Sequence, residues 1–181
     1  VFDEPEEGFA KILQMKNGNT IFIHITPKKE INVQVYDASH KKKAERSFLA
    51  NYEKDNINVE SSFEINNDVV LMVRTVDHRI PRLYRLLING STGVLKSEKK
   101  IVELNKITMG QGYAAAFGSV PAPNFYIKKD PNSDNYALAI FNRFTSDRNK
   151  RIEIVFYGSD HSELSRAFYN SPDNKYKYMN Y

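Results

Sequence analysis

The residues of this chain best suited to chemistry sit in short polar runs between apolar ones. The run Asp130-Pro131-Asn132-Ser133-Asp134-Asn135 places side-chain oxygens at positions 1, 3 and 5, the opening of a calcium loop. Position 6 is Asn135 instead of glycine, and position 12 is Phe141 instead of a bidentate glutamate. Asp130, Asn132 and Asp134 would therefore hold calcium only weakly, and a hairpin loop of Asx turns accounts for the same residues. No other cofactor is implied. Histidines stand beside aspartates three times, as Asp37 with His40, Asp77 with His78, and Asp160 with His161. Such pairs could supply a metal ligand set, an acid–base pair or a ligand contact, and each also has the composition of an exposed turn. His24 alternates with isoleucines along an apolar run and reads as structural.

Several chemistries lack their residues. There is no Gly-x-Ser-x-Gly elbow and no glycine-rich phosphate loop. Without cysteine, disulfides, thiolate metal sites and cysteine nucleophiles are excluded. Glycoside hydrolysis needs two carboxylates at about 5–10 Å. Glu60, Glu64, Asp68 and Asp77 are available, but spacing along the chain does not bring any two together. Sugar stacking would fall to tyrosine, since tryptophan is absent, and Tyr113, Tyr126 and Tyr136 flank an unusual glycine- and alanine-rich stretch. The formal charge of +4 is spread over strand ends and turns, so a nucleic-acid footprint is not expected.

The elements that would position these residues are strands. In Thr20–Thr26, Ile21, Ile23 and Ile25 share one face, and in Ile31–Tyr36, Ile31, Val33 and Val35 do the same. A preceding run, Phe9–Met15, joins the first of these through Lys16-Asn17-Gly18-Asn19, where Asn-Gly predicts a two-residue turn with positive φ at both positions. The segment Ala44–Leu49 follows. The order recurs in Ser62–Ile65, Val69–Val76, Leu83–Ile88 and Val94–Val102, with Val69–Val76 apolar enough to be buried on both faces. It recurs again in Phe125–Lys129, Tyr136–Phe141, Arg151–Tyr157 and a segment near Ser165–Tyr169. The ends of the third strands fall at Tyr36, Ile88 and Tyr157. Lys41–Ala50 and Ser162–Phe168 are rich in helix formers and read equally as outer strands or a helical turn.

The expected fold is therefore all-β: about three four-stranded antiparallel blades, a β-propeller or a propeller fragment. The units cover approximately 8–49, 62–102 and 124–170 of one β domain, 1–181, with a linker at 103–123. Gly110, Gly112, Gly118 and the run Ala114–Ala116 suit that linker to close backbone approach, which ranks it among the functional candidates. Three blades would leave edges open, and the alternating tyrosines of Asn174–Tyr181 read as the start of another strand. Further C-terminal blades or self-association is the expectation. No run is long and apolar enough to predict a transmembrane segment, and Val1 at the start fits a mature secreted chain or an excised portion.

The stretches Glu103–Gly118, Lys129–Tyr136 and Asp147–Arg151 resemble a family of uncharacterised exported bacterial proteins. The resemblance implies a propeller-like fold, export to the periplasm or cell surface, and a longer parent protein. It carries no catalytic residue over. The function expected is a non-catalytic binding or scaffold module of the bacterial envelope that recognises protein or glycan through rim loops. The alternative is a glycan-active hydrolase with part of its active site on missing blades.

Overall fold

A computed structural model describes residues 7–27, 30–50, 57–118 and 120–169. The strands form three four-stranded antiparallel sheets, each a simple meander. The first contains β1 (Phe9–Gln14), β2 (Thr20–Ile25), β3 (Glu30–Tyr36) and β4 (Lys42–Leu49). The second contains β5 (Asn58–Ile65), β6 (Asp68–Asp77), β7 (Ile80–Asn89) and β8 (Leu95–Glu103). A helix, α1 (Met109–Phe117), then precedes the third: β9 (Asn124–Lys129), β10 (Tyr136–Phe141), β11 (Ile152–Tyr157) and β12 (Glu163–Phe168). The expected all-β architecture of three four-stranded units is the one observed. The terminal run Asn174–Tyr181 lies outside the described residues.

The chain divides into two compact units, Val1–Leu104 with the first two sheets and Asn105–Tyr181 with α1 and the third. In the first unit the period-two alternation does the work expected of it. Ile21, Ile23, Ile25, Ile31, Val33 and Val35 point one way and close on Val69, Leu71, Val73, Leu86 and Ile88 of the second sheet. Sheet-on-sheet burial of this kind is worth about 25 cal/mol per Å² of apolar surface removed from water. The continuous run in β6 is buried on both faces, since Val70 and Met72 are as inaccessible as Val69 and Leu71. In the second unit, Phe125, Ile127, Leu138, Ile140 and Val155 form the buried face of the third sheet.

The two segments of ambiguous propensity, β4 and β12, are outer strands. Pairing with β3 and β11 satisfies their backbone groups along one edge and overrides local preference. The repeat is also finer than the sequence showed. A register shift falls at the end of the third strand in every sheet, at Val35/Tyr36, Leu87/Ile88 and Phe156/Tyr157. In each, the turn that follows contains one residue in the left-handed region: His40 at φ 60°, Gly93 at φ 70° and His161 at φ 67°. These are bulged hairpins, in which a tight turn is completed by a left-handed residue.

One expectation is corrected. The Asn17-Gly18 turn is not a two-residue turn with both φ values positive, because only Gly18 is left-handed, at 86°. Met15 N–H donates to Asn19 O and Gly18 N–H to Met15 O, so the connection is a three-residue loop of the bulged type. Within the 103–123 linker, α1 occupies the middle. Thr108 caps the helix reciprocally with Gln111: the Thr108 side chain accepts from Gln111 N–H, and the Gln111 side chain accepts from Thr108 N–H. That box and the alanine run offset the cost of Gly110 and Gly112.

Candidate functional site

Antiparallel topology decides which turns share an end of a sheet. In the first unit the β1–β2, β3–β4, β5–β6 and β7–β8 turns lie at one end. The Asn17 amide donates to Asn67 Oδ1 and, at 3.3 Å, to Ser91 Oγ. Asn67 Nδ2 donates to Ser91 Oγ at 3.1 Å, and buried Asn19 Nδ2 donates to Gly90 O at 3.2 Å. Three turns from two sheets are thus tied side chain to side chain. The β6–β7 turn lies at the opposite end.

This arrangement separates two of the sequence-predicted pairs. Asp37 and His40 belong to the tied end, and Asp77 and His78 to the other. Each aspartate is engaged locally. Asp37 Oδ1 accepts from Lys41 N–H at 3.0 Å and Ser39 N–H at 2.9 Å. The Lys41 bond in particular holds its carboxyl below the ordinary range. Asp77 is paired with Arg82 at 3.2 Å and with His78 Nδ1 at 2.8 Å. His78 and Arg79, at φ 48° and 69°, form the two-residue turn itself. His24 is on β2 as expected, its Nε2 2.6 Å from Glu7 O.

In the second unit the Asp130–Asp134 loop and the Asp160–His161 turn share one end of the third sheet. Asp160 Oδ1 accepts from Ser162 Oγ at 2.6 Å and Ser162 N–H at 3.0 Å, and the hydroxyl bond lowers its pKa. His161 Nδ1 is 3.4 Å from the hydroxyl of Tyr136, which stacks on Tyr157 with ring centroids 5.0 Å apart. Asp130 accepts from Ser133 Oγ at 2.6 Å and Asn132 N–H at 2.9 Å, and the hydroxyl again depresses its pKa most. The interior of this loop faces a cation of the protein's own. Lys129 Nζ lies 2.6 Å from Ser133 O, 3.1 Å from Asp130 O and 3.3 Å from Asp134 Oδ1. A metal ion on the same oxygens would have to displace that ammonium. Among the described residues no group of three or more His, Asp or Glu side chains is arranged to hold a metal.

Tyr113 is on α1, well exposed, with its ring centroid 5.8 Å from that of Phe117. At the end of the third sheet opposite the Asp130 loop lies a cavity of about 220 Å³. Its walls come from the approach to α1 (Asn105, Lys106, Thr108), the first turn of the helix (Gln111), Pro123, and the β10–β11 loop (Asn142, Phe144, Thr145, Ser146). Gln111 Nε2 donates to Phe144 O at 3.3 Å, which fixes the helix to the loop. Sequence reasoning placed functional weight on the 103–123 stretch but not on these residues. The readable signal was the Thr108-x-x-Gln111 capping box, which fixes where the helix starts. A second, larger cavity of about 530 Å³ is lined in the first unit by residues including Phe9, Ile25, Pro27, Ile57 and Val59. Among the described residues no carboxylate lines either cavity.

No family model matches the chain, and no curated protein matches it. A solved structure of a protein of unknown function from Bacteroides caccae is similar to it at 12% identity, with a TM-score of 0.41. The match covers 94% of this chain and 51% of that one, so the chain spans about half the length of the protein it matches. Among the described residues, no helix is long and apolar enough to cross a membrane.

Proposed function

We propose that this chain is a non-catalytic module of propeller type, exported to the bacterial envelope, that binds a glycan or protein partner through the loops at its sheet ends. The observation that carries the reading is where the carboxylates go. Asp37, Asp130 and Asp160 each accept hydrogen bonds from their own turns, and Asp77 is paired with Arg82 and His78. Among the described residues no carboxylate lines the cavity beside α1, so the pair of acids that glycoside hydrolysis uses is not among its described walls. The walls beside α1 instead present amides and hydroxyls, groups that both donate and accept, as a sugar's hydroxyls do.

Export is supported by the sequence resemblance, and the propeller by three repeated sheets with matching bulges. The binding reading is tested by presenting the full chain to an array of envelope and dietary glycans and to immobilised envelope proteins. Saturable retention on a restricted set of glycans or proteins is expected. Retention nowhere, or equally everywhere with a steep loss in salt, would overturn the proposal.

A further inference from the structure

The cavity beside α1 is more selective than a generic polar hollow. Its walls are cross-braced: Gln111 spans from the Thr108 backbone N–H to Phe144 O, and Asn142 Oδ1 accepts from Phe144 N–H at 3.2 Å. These bonds fix the walls and leave the ligand-facing groups uncommitted. Among the described residues the Asn142 amide nitrogen, the Thr145 and Ser146 hydroxyls and the Lys106 ammonium have no hydrogen-bond or ion-pair partner within the protein. Phe144, half-buried, and Pro123, buried, add an apolar patch.

The charge pattern narrows the ligand further. Among the described residues that line the cavity, Lys106 is the one ionisable side chain, and none of them is a carboxylate. The N-terminal end of α1, carrying the positive end of the helix dipole, enters the same space. A group with a negative charge is favoured at that wall, and hydroxyl groups at the other. The volume of about 220 Å³ is below the roughly 300–1,000 Å³ that encloses a drug-sized ligand, so it suits a single ring.

We infer that this cavity is a one-residue subsite for an acidic glycan, taking a uronic-acid ring with its carboxylate towards Lys106 and the start of α1. The ring hydroxyls then meet Asn142, Thr145 and Ser146, and the ring's C–H face meets Phe144. This rests on the binding function proposed above and names its ligand class.

The test uses the full chain, titrated by calorimetry and by amide NMR with oligogalacturonate, its fully methyl-esterified counterpart, and inorganic phosphate. Saturable binding of the acid form is expected, with shifts concentrated at residues 105–111 and 142–146. Lys106→Gln should weaken it about ten-fold, the loss of one charge-assisted hydrogen bond. Ser146→Ala should weaken it a few-fold while Lys106→Gln leaves the weak methyl-ester binding unchanged. Both positions are exposed, and an unchanged melting temperature confirms that the variants fold. Equal affinity for the methyl ester, equal affinity for phosphate, or indifference to Lys106→Gln would overturn the inference. Binding of a neutral glycan with shifts elsewhere would remove this subsite and leave the broader binding function standing. Retention of no glycan or protein at all would remove both.

Discussion

At the scale of single residues, the aspartates of the turns act on backbone, and this has a consequence for acid stability. Asp160 accepts two hydrogen bonds from Ser162, and its folded pKa lies below the ordinary value of 3.8. A depressed pKa contributes stability that is present above the unfolded pKa and is lost as pH falls through the folded one. Asp160→Asn keeps an acceptor oxygen but removes the titration. Its melting temperature should therefore fall less steeply than the native protein's between about pH 4 and pH 2. Parallel pH profiles would contradict the assignment. The Asp/His pairing was visible in the sequence because both residues are chemically distinctive. That the histidines are left-handed turn residues was not visible, since positive φ depends on how two strands meet. Only the register shift at the end of each third strand, four or five residues before the turn's left-handed residue, reveals the slot that His40, Gly93 and His161 share.

At the scale of elements, the tight turns and α1 give opposite expectations for similar substitutions. His78 and Arg79 occupy a two-residue hairpin turn with both φ values positive, a geometry that Asn-Gly adopts with less strain. The double substitution His78→Asn, Arg79→Gly should raise stability by about 1 kcal/mol by chemical denaturation, less whatever the His78–Asp77 pair contributes. A net loss of stability would show that the His78 contact outweighs the strain. Gly90 is fixed by its surroundings, because a Cβ there would lie 2.5 Å from Asn67 O and 2.6 Å from Met15 Cε. The methionine tip can move but the backbone oxygen cannot, so Gly90→Ala should cost about 1–3 kcal/mol. A Cβ at Gly110 meets nothing within 4 Å. Gly110→Ala should instead stabilise α1, by up to about 1 kcal/mol. The same sign for both would contradict the packing described. The twelve strands of the described residues were largely legible because period two and its turn punctuation are local signals. The helix was obscured by its glycines, whose low propensity hid the Thr108–Gln111 cap.

At the scale of the whole molecule, repetition is the organising fact. Each sheet is a four-strand meander ending in a bulged turn, and in the first unit two such sheets bury their aliphatic faces on each other. The repeat could be read from the sequence because each copy restates the same alternation. The cavity could not, since it is built from Lys106 and Ser146, forty residues apart and individually ordinary. The binding function proposed above sets recognition at the loop ends against bond cleavage. The account stands most directly on that distinction. The full chain should be incubated with each glycan it retains and the sugar analysed by mass spectrometry and reducing-end assay over a day. The account predicts that every glycan is recovered intact at its original length. Shortening of a retained glycan that depends on the added protein, or the appearance of new reducing ends, would contradict it.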